Sequence, residues 1–555
     1  MWPRPEIATP LVSYSAAKMP SRLPRLLALV PVAARALSIS TPPPATASYD
    51  HLKKLLRDVN ALSEVEGILS YDEQCFMPPG AAASRATQKA ALAKVVHEMR
   101  TGEAMAAAVE AVRGREAELP DAKMRANVRD AVESFDKQAR KSAELAEAEA
   151  RLESEAFAAW QGARKEKDFS AFAPKLKEMF ALKQQVAKIT RPAVAEPYDG
   201  ALDAFERGMT AERLDEIFAE LRAGVVPLLA AIQEKRKNSP EIDAPPDALK
   251  AGPAWDEAAQ AELSREIAIA LGWQADNGRL DVSTHPFTGG AGPEDVRITT
   301  RYSDNWIEGL GATVHETGHA LYEQGRDLGE EGRGLPASVA LSMGVHESQS
   351  LLWERMVGQS RAYWSWVTPK VHERFPFTKE CTAEDFYKAF NRVTPGCIRV
   401  ESDEVTYPLH VILRYDIERA LFRGEMSVDE LPEYWNTRMK ADLGVDVPDD
   451  AQGCLQDIHW SFGAVGYFPS YTLGAVIAVQ LFEAAQRAIG AEALDAQLEA
   501  GEFAPLREWL RTEIHEVGST YASPDDLLRA VTGDGIDPAP FLDYLTAKYG
   551  ALYGL

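Results

Sequence analysis

The pentapeptide His315-Glu316-Thr317-Gly318-His319 constrains this 555-residue chain more tightly than any other stretch. Histidines four apart share one helical face, so both imidazoles reach a single cation only if the segment is helical, and the glutamate between them then reaches the water bound to that cation. Apolar residues at helical spacing extend the pattern on both sides, with Trp306, Ile307, Leu310 and Val314 before the motif and Ala320 and Leu321 after it. Such a helix is buried. Two imidazoles and a carboxylate without partners in a core would each cost about 1 to 3 kcal/mol, whereas a shared metal ion satisfies all three. An ordinary exposed helix with solvated histidines does not fit this context.

A catalytic zinc takes three protein ligands and keeps a fourth position for water. The segment Gly344-Val345-His346-Glu347-Ser348-Gln349-Ser350 is the best source of the third ligand. It follows a Gly-rich connection, Gly329 to Gly334, that turns the chain back, and it opens a second amphipathic stretch through Leu351, Leu352 and Met356. Spacing alone leaves His346 and Glu347 both open. Glu347 gives the two-histidine, one-glutamate set of peptide-hydrolysing zinc enzymes and is favoured, with His346 as an outer donor or a groove-wall residue.

From Tyr49 to about Lys250 the pattern is helical, rich in alanine, leucine, glutamate and lysine with few breakers. The region from about Leu280 to Thr300 is the one convincing strand-like stretch. There Val296, Ile298 and Thr300 alternate with period two, and a short strand beside the metal helix is suited to pairing with an extended peptide. The Gly- and Pro-punctuated segment from Asn238 to Pro253 is expected to divide a helical lobe, residues 49–250, from a metal-binding lobe, residues 251–555. No charge occurs from Trp460 to Phe482. Ser461, Pro469, Ser470 and Gln480 interrupt that run, so it reads as a buried wall of the site and not as a membrane span.

The formal net charge of -24 argues against nucleic acid or an anionic membrane as partner. Cys75, Cys381, Cys397 and Cys454 are scattered, show no C-x-x-C spacing and read as reduced thiols. Residues 1–48 differ from the rest: Arg4, Lys18, Arg22, Arg25 and Arg35 face a single acid, Glu6. The segment resembles a mitochondrial or plastid transit peptide. A secretory signal, a disordered extension, or a start at Met19 in a cytoplasmic protein are the alternatives. Pro42-Pro43-Pro44 marks a stiff linker into the folded part.

Beyond the metal motif, the chain resembles the carboxypeptidase Taq family of metallocarboxypeptidases through an ordered series of signatures. His285-Pro286-Phe287 matches H-P-F, Asp295 to Thr299 matches D-x-R-x-T, and H-E-T-G-H and His346-Glu347-Ser348-Gln349 follow. Ile398 to Asp403 resembles I-R-x-x-A-D with serine at 402 in place of alanine, and Gly453 to Trp460 matches G-x-x-Q-D-x-H-W. The resemblance implies a mainly α, two-lobed metallopeptidase with a deep groove over the metal helix and a small β element. It also implies one Zn²⁺ per chain, with Co²⁺ able to replace it, and a homodimer.

An exopeptidase of this kind must recognise a free carboxylate, which arginine does with a planar fork that lysine lacks. The resemblance assigns that role to Arg399. Arg297 is the competitor, unless a salt bridge to Asp295 or Asp304 occupies it. His285 joins His346 and the arginines as a substrate-side candidate. Hydrolysis by a zinc-activated water is the expected chemistry, with His315, His319 and Glu347 on the metal and Glu316 as general base. His459, Tyr467 and Tyr471 are expected to donate to the developing oxyanion, packing in the core being their alternative role. An endopeptidase with the same metal chemistry and a non-catalytic helical scaffold are the competing readings, and the intact Glu316 speaks against the scaffold.

Overall fold

The structure, a computed structural model, describes residues 43–555. The transit-peptide reading, which rests on the basic residues from Arg4 to Arg35, therefore lies outside the described residues. Helices dominate, as the sequence implied. The first one opens at Ala45, directly after Pro44, and runs to Cys75. Together with helices Ala82–Thr101, Glu103–Val112 and Ala122–Ala139 it closes over Tyr49, Leu52, Val96, Val109 and Val128. A second and larger apolar cluster extends from Leu152 to Tyr553 and includes Leu249, inside the Asn238–Pro253 segment, and Trp255, just beyond it.

Local chemistry fixes the helix ends. Asp121 accepts from the backbone N–H groups of Lys123 and Met124, Ser142 accepts from Leu145, and Thr210 accepts from Arg213, each satisfying donors that the first helical turn leaves free. The greater part of the uncharged stretch lies in the helix Pro469–Ile489, which is buried on nearly every face along that part, as an all-round apolar helix must be. No helix among the described residues is long and apolar enough to cross a membrane.

The strand-like region forms a three-stranded sheet in the order β1-β3-β2, with β1 Gly278–Val282, β2 Thr288–Gly290 and β3 Val296–Thr300. β1 runs parallel to β3 and β2 antiparallel to it. This corrects one expectation: β3, the strand singled out for peptide pairing, is central, and its backbone is taken on both sides. The edge on the metal side belongs to β2. Thr300 at the end of β3 donates to the carbonyl of Gly309 at 3.0 Å, which sets the entry of the metal-motif helix Trp306–Gln324. Tyr71 ties the first helix to the sheet through Asp281 Oδ2 at 2.9 Å and the Ile298 carbonyl at 3.3 Å. Gly67 permits that contact, because a Cβ there would stand 2.2 Å from the Gly290 carbonyl oxygen.

The helix Met343–Leu351, which carries Glu347, is anchored at its start from far along the chain. Ser342 caps it, and the buried carboxylate of Glu206 accepts from the Gly344 N–H. Burial pushes the Glu206 carboxyl up to about 7, and the hydroxyls and N–H groups around it only partly oppose that rise. The sign of the consequence follows by linkage. The unfolded group ionises near its ordinary value and the folded one near 7, so stability is full below that ordinary value and is lost as pH rises through about 7. The loss is at most about 3 to 4 kcal/mol, at roughly 1.4 kcal/mol for each pKa unit. Glu206→Gln keeps the acceptor and removes the titration. Thermal melts at pH 5 and pH 8 are therefore expected to show its melting temperature gaining on that of the natural chain at the higher pH, and an equal offset at both would refute the assignment.

Candidate active site

His315 and His319 project from one face of the Trp306–Gln324 helix, their ring centroids 5.0 Å apart. The Met343–Leu351 helix crosses close by because residue 318 is glycine; a Cβ there would stand 2.6 Å from the Gln349 carbonyl oxygen. The crossing sets Glu347 Oε2 3.2 Å from His319 Nε2 and 3.8 Å from His315 Nε2. One donor atom from each of the three residues lies within 4.8 Å of the other two. Glu347 is thus the third member of the set. His346 turns its Nε2 to Glu323 Oε1 at 3.0 Å and stacks on the His319 ring at 4.5 Å, bracing that ring from behind.

Two neighbours complete the centre. Glu354 Oε2 lies 2.7 Å from His315 Nδ1, which fixes that ring and leaves Nε2 facing Glu347. Glu354 sits on a π-helical turn, Leu352–Val357, seven residues and two turns beyond Glu347. The general-base candidate Glu316 is buried and accepts from Thr288 Oγ1 of β2 at 2.6 Å. Burial raises its affinity for a proton, and the His315 imidazole and the Thr288 hydrogen bond only partly counter this.

The electrostatics suit a cation. Burial disfavours the charged form of His315, but the carboxylates of Glu347 and Glu354 outweigh it and hold the group up to about 10. Burial and then the His346 imidazole push His319 down to about 4. Burial also disfavours the Glu347 carboxylate, yet the two imidazoles hold it down to about 2. Two ring nitrogens and one carboxylate oxygen, with His315 oriented by an outer acid, match the donor set of a catalytic Zn²⁺ or Co²⁺ site.

A second cluster joins two of the sequence signatures. Arg399 gives Nε and Nη2 to Asp457 Oδ1 at 3.1 and 3.0 Å, and Nη1 to the Tyr407 hydroxyl at 2.9 Å. Arg414 takes Asp457 Oδ2 at 2.6 Å. The Arg399 guanidinium lies 4.7 Å from the centre of the Tyr471 ring, and the Tyr471 hydroxyl meets His459 Nε2 at 3.1 Å. Tyr467 packs edge-on against Tyr471 at 5.3 Å. Burial, with Arg399 and Arg414 nearby, pushes His459 down to about 3 despite Asp457, so its ring is neutral at physiological pH. Burial raises both tyrosines, Tyr467 to about 12, so both keep their hydroxyl protons.

The helix Pro469–Ile489 brings this cluster to the metal set. Gly474 touches Glu347, where a Cβ would stand 2.7 Å from Cγ, and Tyr471 lies three residues earlier on the same face. The Glu347 carboxylate accordingly acts on Tyr407, Tyr467 and Tyr471. The loop between His459 and Tyr467 is held by the buried Glu418, which accepts from Trp460 Nε1 at 2.7 Å, Gly466 N at 2.9 Å and the Tyr198 hydroxyl at 2.6 Å.

The remaining candidates, Arg297 and His285, make no side-chain hydrogen bond to either cluster. Arg297 forms a two-pronged pair with Asp295 at 2.8 and 2.7 Å and lies over the Tyr71 ring, the salt-bridge alternative that its sequence left open. His285 is exposed, and its carbonyl accepts from Ser283 Oγ at 2.6 Å. Glu354, Thr288, Tyr407 and Glu418 were missed. Glu354 carried a usable signal, its two-turn spacing from Glu347; the others come from segments that only the tertiary fold brings in.

The family model of the carboxypeptidase Taq (M32) metallopeptidases matches residues 51–549. The chain belongs to that family. It is 39% identical over 520 residues to thermostable carboxypeptidase 1 of Thermus thermophilus, covering 92% of this chain and 99% of that one. Carboxypeptidase 1 of Bacillus subtilis is 36% identical, with 90% and 97% covered. Among solved structures, Trypanosoma cruzi metallocarboxypeptidase 1 superimposes with a TM-score of 0.87 at 34% identity, over 91% of this chain and 99% of that one. The M32 carboxypeptidase of Deinococcus radiodurans R1 gives 0.86 at 34% identity, with 92% and 100% covered. As an M32 metallopeptidase the protein is a hydrolase that works with a metal ion. Glu354→Gln, which weakens the acceptor on His315, is expected to lower metal affinity roughly 10- to 100-fold in a competitive chelator titration with the fold intact by circular dichroism; unchanged affinity would contradict the role given to Glu354.

Proposed function

We propose that this M32 family member is a zinc carboxypeptidase of broad specificity that removes residues from the free C-termini of peptides, with His315, His319 and Glu347 holding the metal. The observation that carries this is the convergence of His315 Nε2, His319 Nε2 and Glu347 Oε2 beside a buried Glu316. A divalent cation bound there supplies Lewis acidity, polarising the scissile carbonyl and acidifying water. Glu316 takes the proton of the attacking water and returns it to the leaving amine, a task that its raised proton affinity suits.

The protonated hydroxyls of Tyr467 and Tyr471 donate to the oxyanion as it develops. With Nε2 as donor to Tyr471, the neutral His459 leaves the Tyr471 proton free for that purpose. Arg399 receives the terminal carboxylate. Its guanidinium carries five N–H groups, and the bonds to Asp457 and Tyr407 use three of them. Those two residues hold the fork rigid and leave two N–H groups for a carboxylate. Cobalt serves in the same ligand set. A homodimer is supported by the family resemblance, and mitochondrial or plastid import by the basic amino-terminal segment.

N-blocked peptides with free or amidated C-termini test the reading, before and after chelation and zinc restoration. Chelator-sensitive, stepwise release from free C-termini alone is expected, whereas internal cleavage of both forms would make the protein an endopeptidase. Glu316→Gln is expected to keep the metal and lose turnover by roughly 10²- to 10⁴-fold, and His319→Ala to lose both, judged by metal analysis beside the kinetics. A Glu316→Gln protein with full turnover would overturn the mechanism.

A further inference from the structure

Four arginines are buried among the described residues: Arg355, Arg399, Arg414 and Arg419. Three are paired, Arg399 and Arg414 with Asp457 and Arg419 with Glu196 and Asp215. Arg355 is not. It is 5% exposed, its Nε and Nη1 make no hydrogen bond, and it enters no ion pair. A guanidinium in such a place is costly unless something charged meets it. The acids whose charges act on it from nearby are bonded to other groups: Glu354 to His315, Glu347 to the metal set, and Glu404 through Oε2 to Lys548 Nζ at 2.7 Å and the Tyr549 hydroxyl at 3.0 Å, its Oε1 making no hydrogen bond.

The position of Arg355 says what would meet it. It rides on the π-helical turn Leu352–Val357 that continues the Glu347 helix, and π-bulges of this kind are frequent where a side chain is re-aimed at a site. Its Cζ lies 5.2 Å from the centre of the Tyr407 ring, and Arg399 Cζ lies 5.8 Å from the same ring. Two guanidinium groups thus share one aromatic ring beside the metal set, one with its fork braced and the other with no ion pair. A C-terminal residue with two carboxylates presents a matching pair of charges.

Resting on the carboxypeptidase reading above, we propose that Arg355 receives the side-chain carboxylate of a C-terminal aspartate or glutamate while Arg399 holds the terminal carboxylate. The expected specificity is broad, with an added preference for acidic C-terminal residues over their amides. Glutamine fills the same space without the charge and leaves the guanidinium unneutralised.

The test uses N-blocked peptides that differ only in ending with Ala, Gln or Glu, on the zinc-loaded natural protein, Arg355→Gln and Arg355→Lys. The readout is the ratio of kcat/KM for Glu over Gln. It is expected to exceed one in the natural protein, chiefly through KM, to fall roughly 10- to 100-fold in Arg355→Gln, and to recover partly in Arg355→Lys. A uniform fall that leaves the ratio intact would move Arg355 to the terminal carboxylate and overturn the proposal, as would an unchanged ratio. A second measurement needs no variant: free glutamate is expected to raise the melting temperature of the natural protein more than free glutamine does, and equal shifts would overturn the proposal. Failure of the natural protein to release alanine would instead count against the carboxypeptidase reading, and the melting comparison still decides the role of Arg355.

Discussion

Two helices must approach closely enough for a carboxylate on one to meet imidazoles on the other, and everything else at this site depends on that crossing. Glycine makes it possible twice. Gly318 lets the backbone of Gln349 and Ser350 settle onto the metal-motif helix, and Gly474 lets the buried helix Pro469–Ile489 press on Glu347 from the other side. A methyl group at either place would enter the space of a neighbouring backbone or of the ligand itself. In a close-packed interior that cost is met by moving a helix, not a side chain. The metal set is therefore positioned by close contact at these two glycines, and Tyr471, on the helix that covers Glu347, is placed by the second of them.

Buried acids form the next layer, and the balance between desolvation and nearby cations sorts them into two kinds. Glu347 lies among imidazoles and Asp457 between two arginines, and in both the cations win, so the carboxylates stay charged and act as fixed counter-charges. Glu206 and Glu418 meet only N–H and O–H dipoles. Desolvation wins there and raises both to about 7. The first kind builds the site. The second kind ties distant segments to it, Glu206 at the start of the Glu347 helix and Glu418 at the loop between His459 and Tyr467.

The parts of this arrangement that are periodic or local were legible in the sequence. The metal-motif helix declares itself by spacing, and so does the uncharged wall helix. The choice between His346 and Glu347 did not, because adjacent helical residues point about 100° apart and only the crossing shows which one faces the motif. Strand β3 showed its alternation, but order in a sheet is a non-local property, so its central position was hidden. The family signatures located Arg399 and His459, while the sequence was silent on Asp457 as the brace for Arg399 and on Arg355 as a buried cation that forms no ion pair. Such facts concern which charge remains unpaired after folding, and no local pattern encodes that.

The amino-terminal helices are part of the same mechanical system, although none of their residues touches the metal set. The connection between the two ligand-bearing helices, Gly329 to Gly334, is polar and Gly-rich and would by itself be free to move. Glu331 in that loop is held by Tyr49 and by Lys53 Nζ at 3.0 Å, and its carbonyl accepts from Asn127 Nδ2 at 3.0 Å. Asn127 Oδ1 in turn accepts from the Ala337 N–H at 2.8 Å, so one buried amide bridges both ends of the turn. The crossing that creates the site is thus clamped at its connecting loop by helices roughly two to three hundred residues earlier in the chain. Binding a metal fixes the same crossing from the other end. Ion and clamp would both favour the native spacing of the two helices, so a metal held by His315, His319 and Glu347 would stabilise the fold of a region much larger than those three residues.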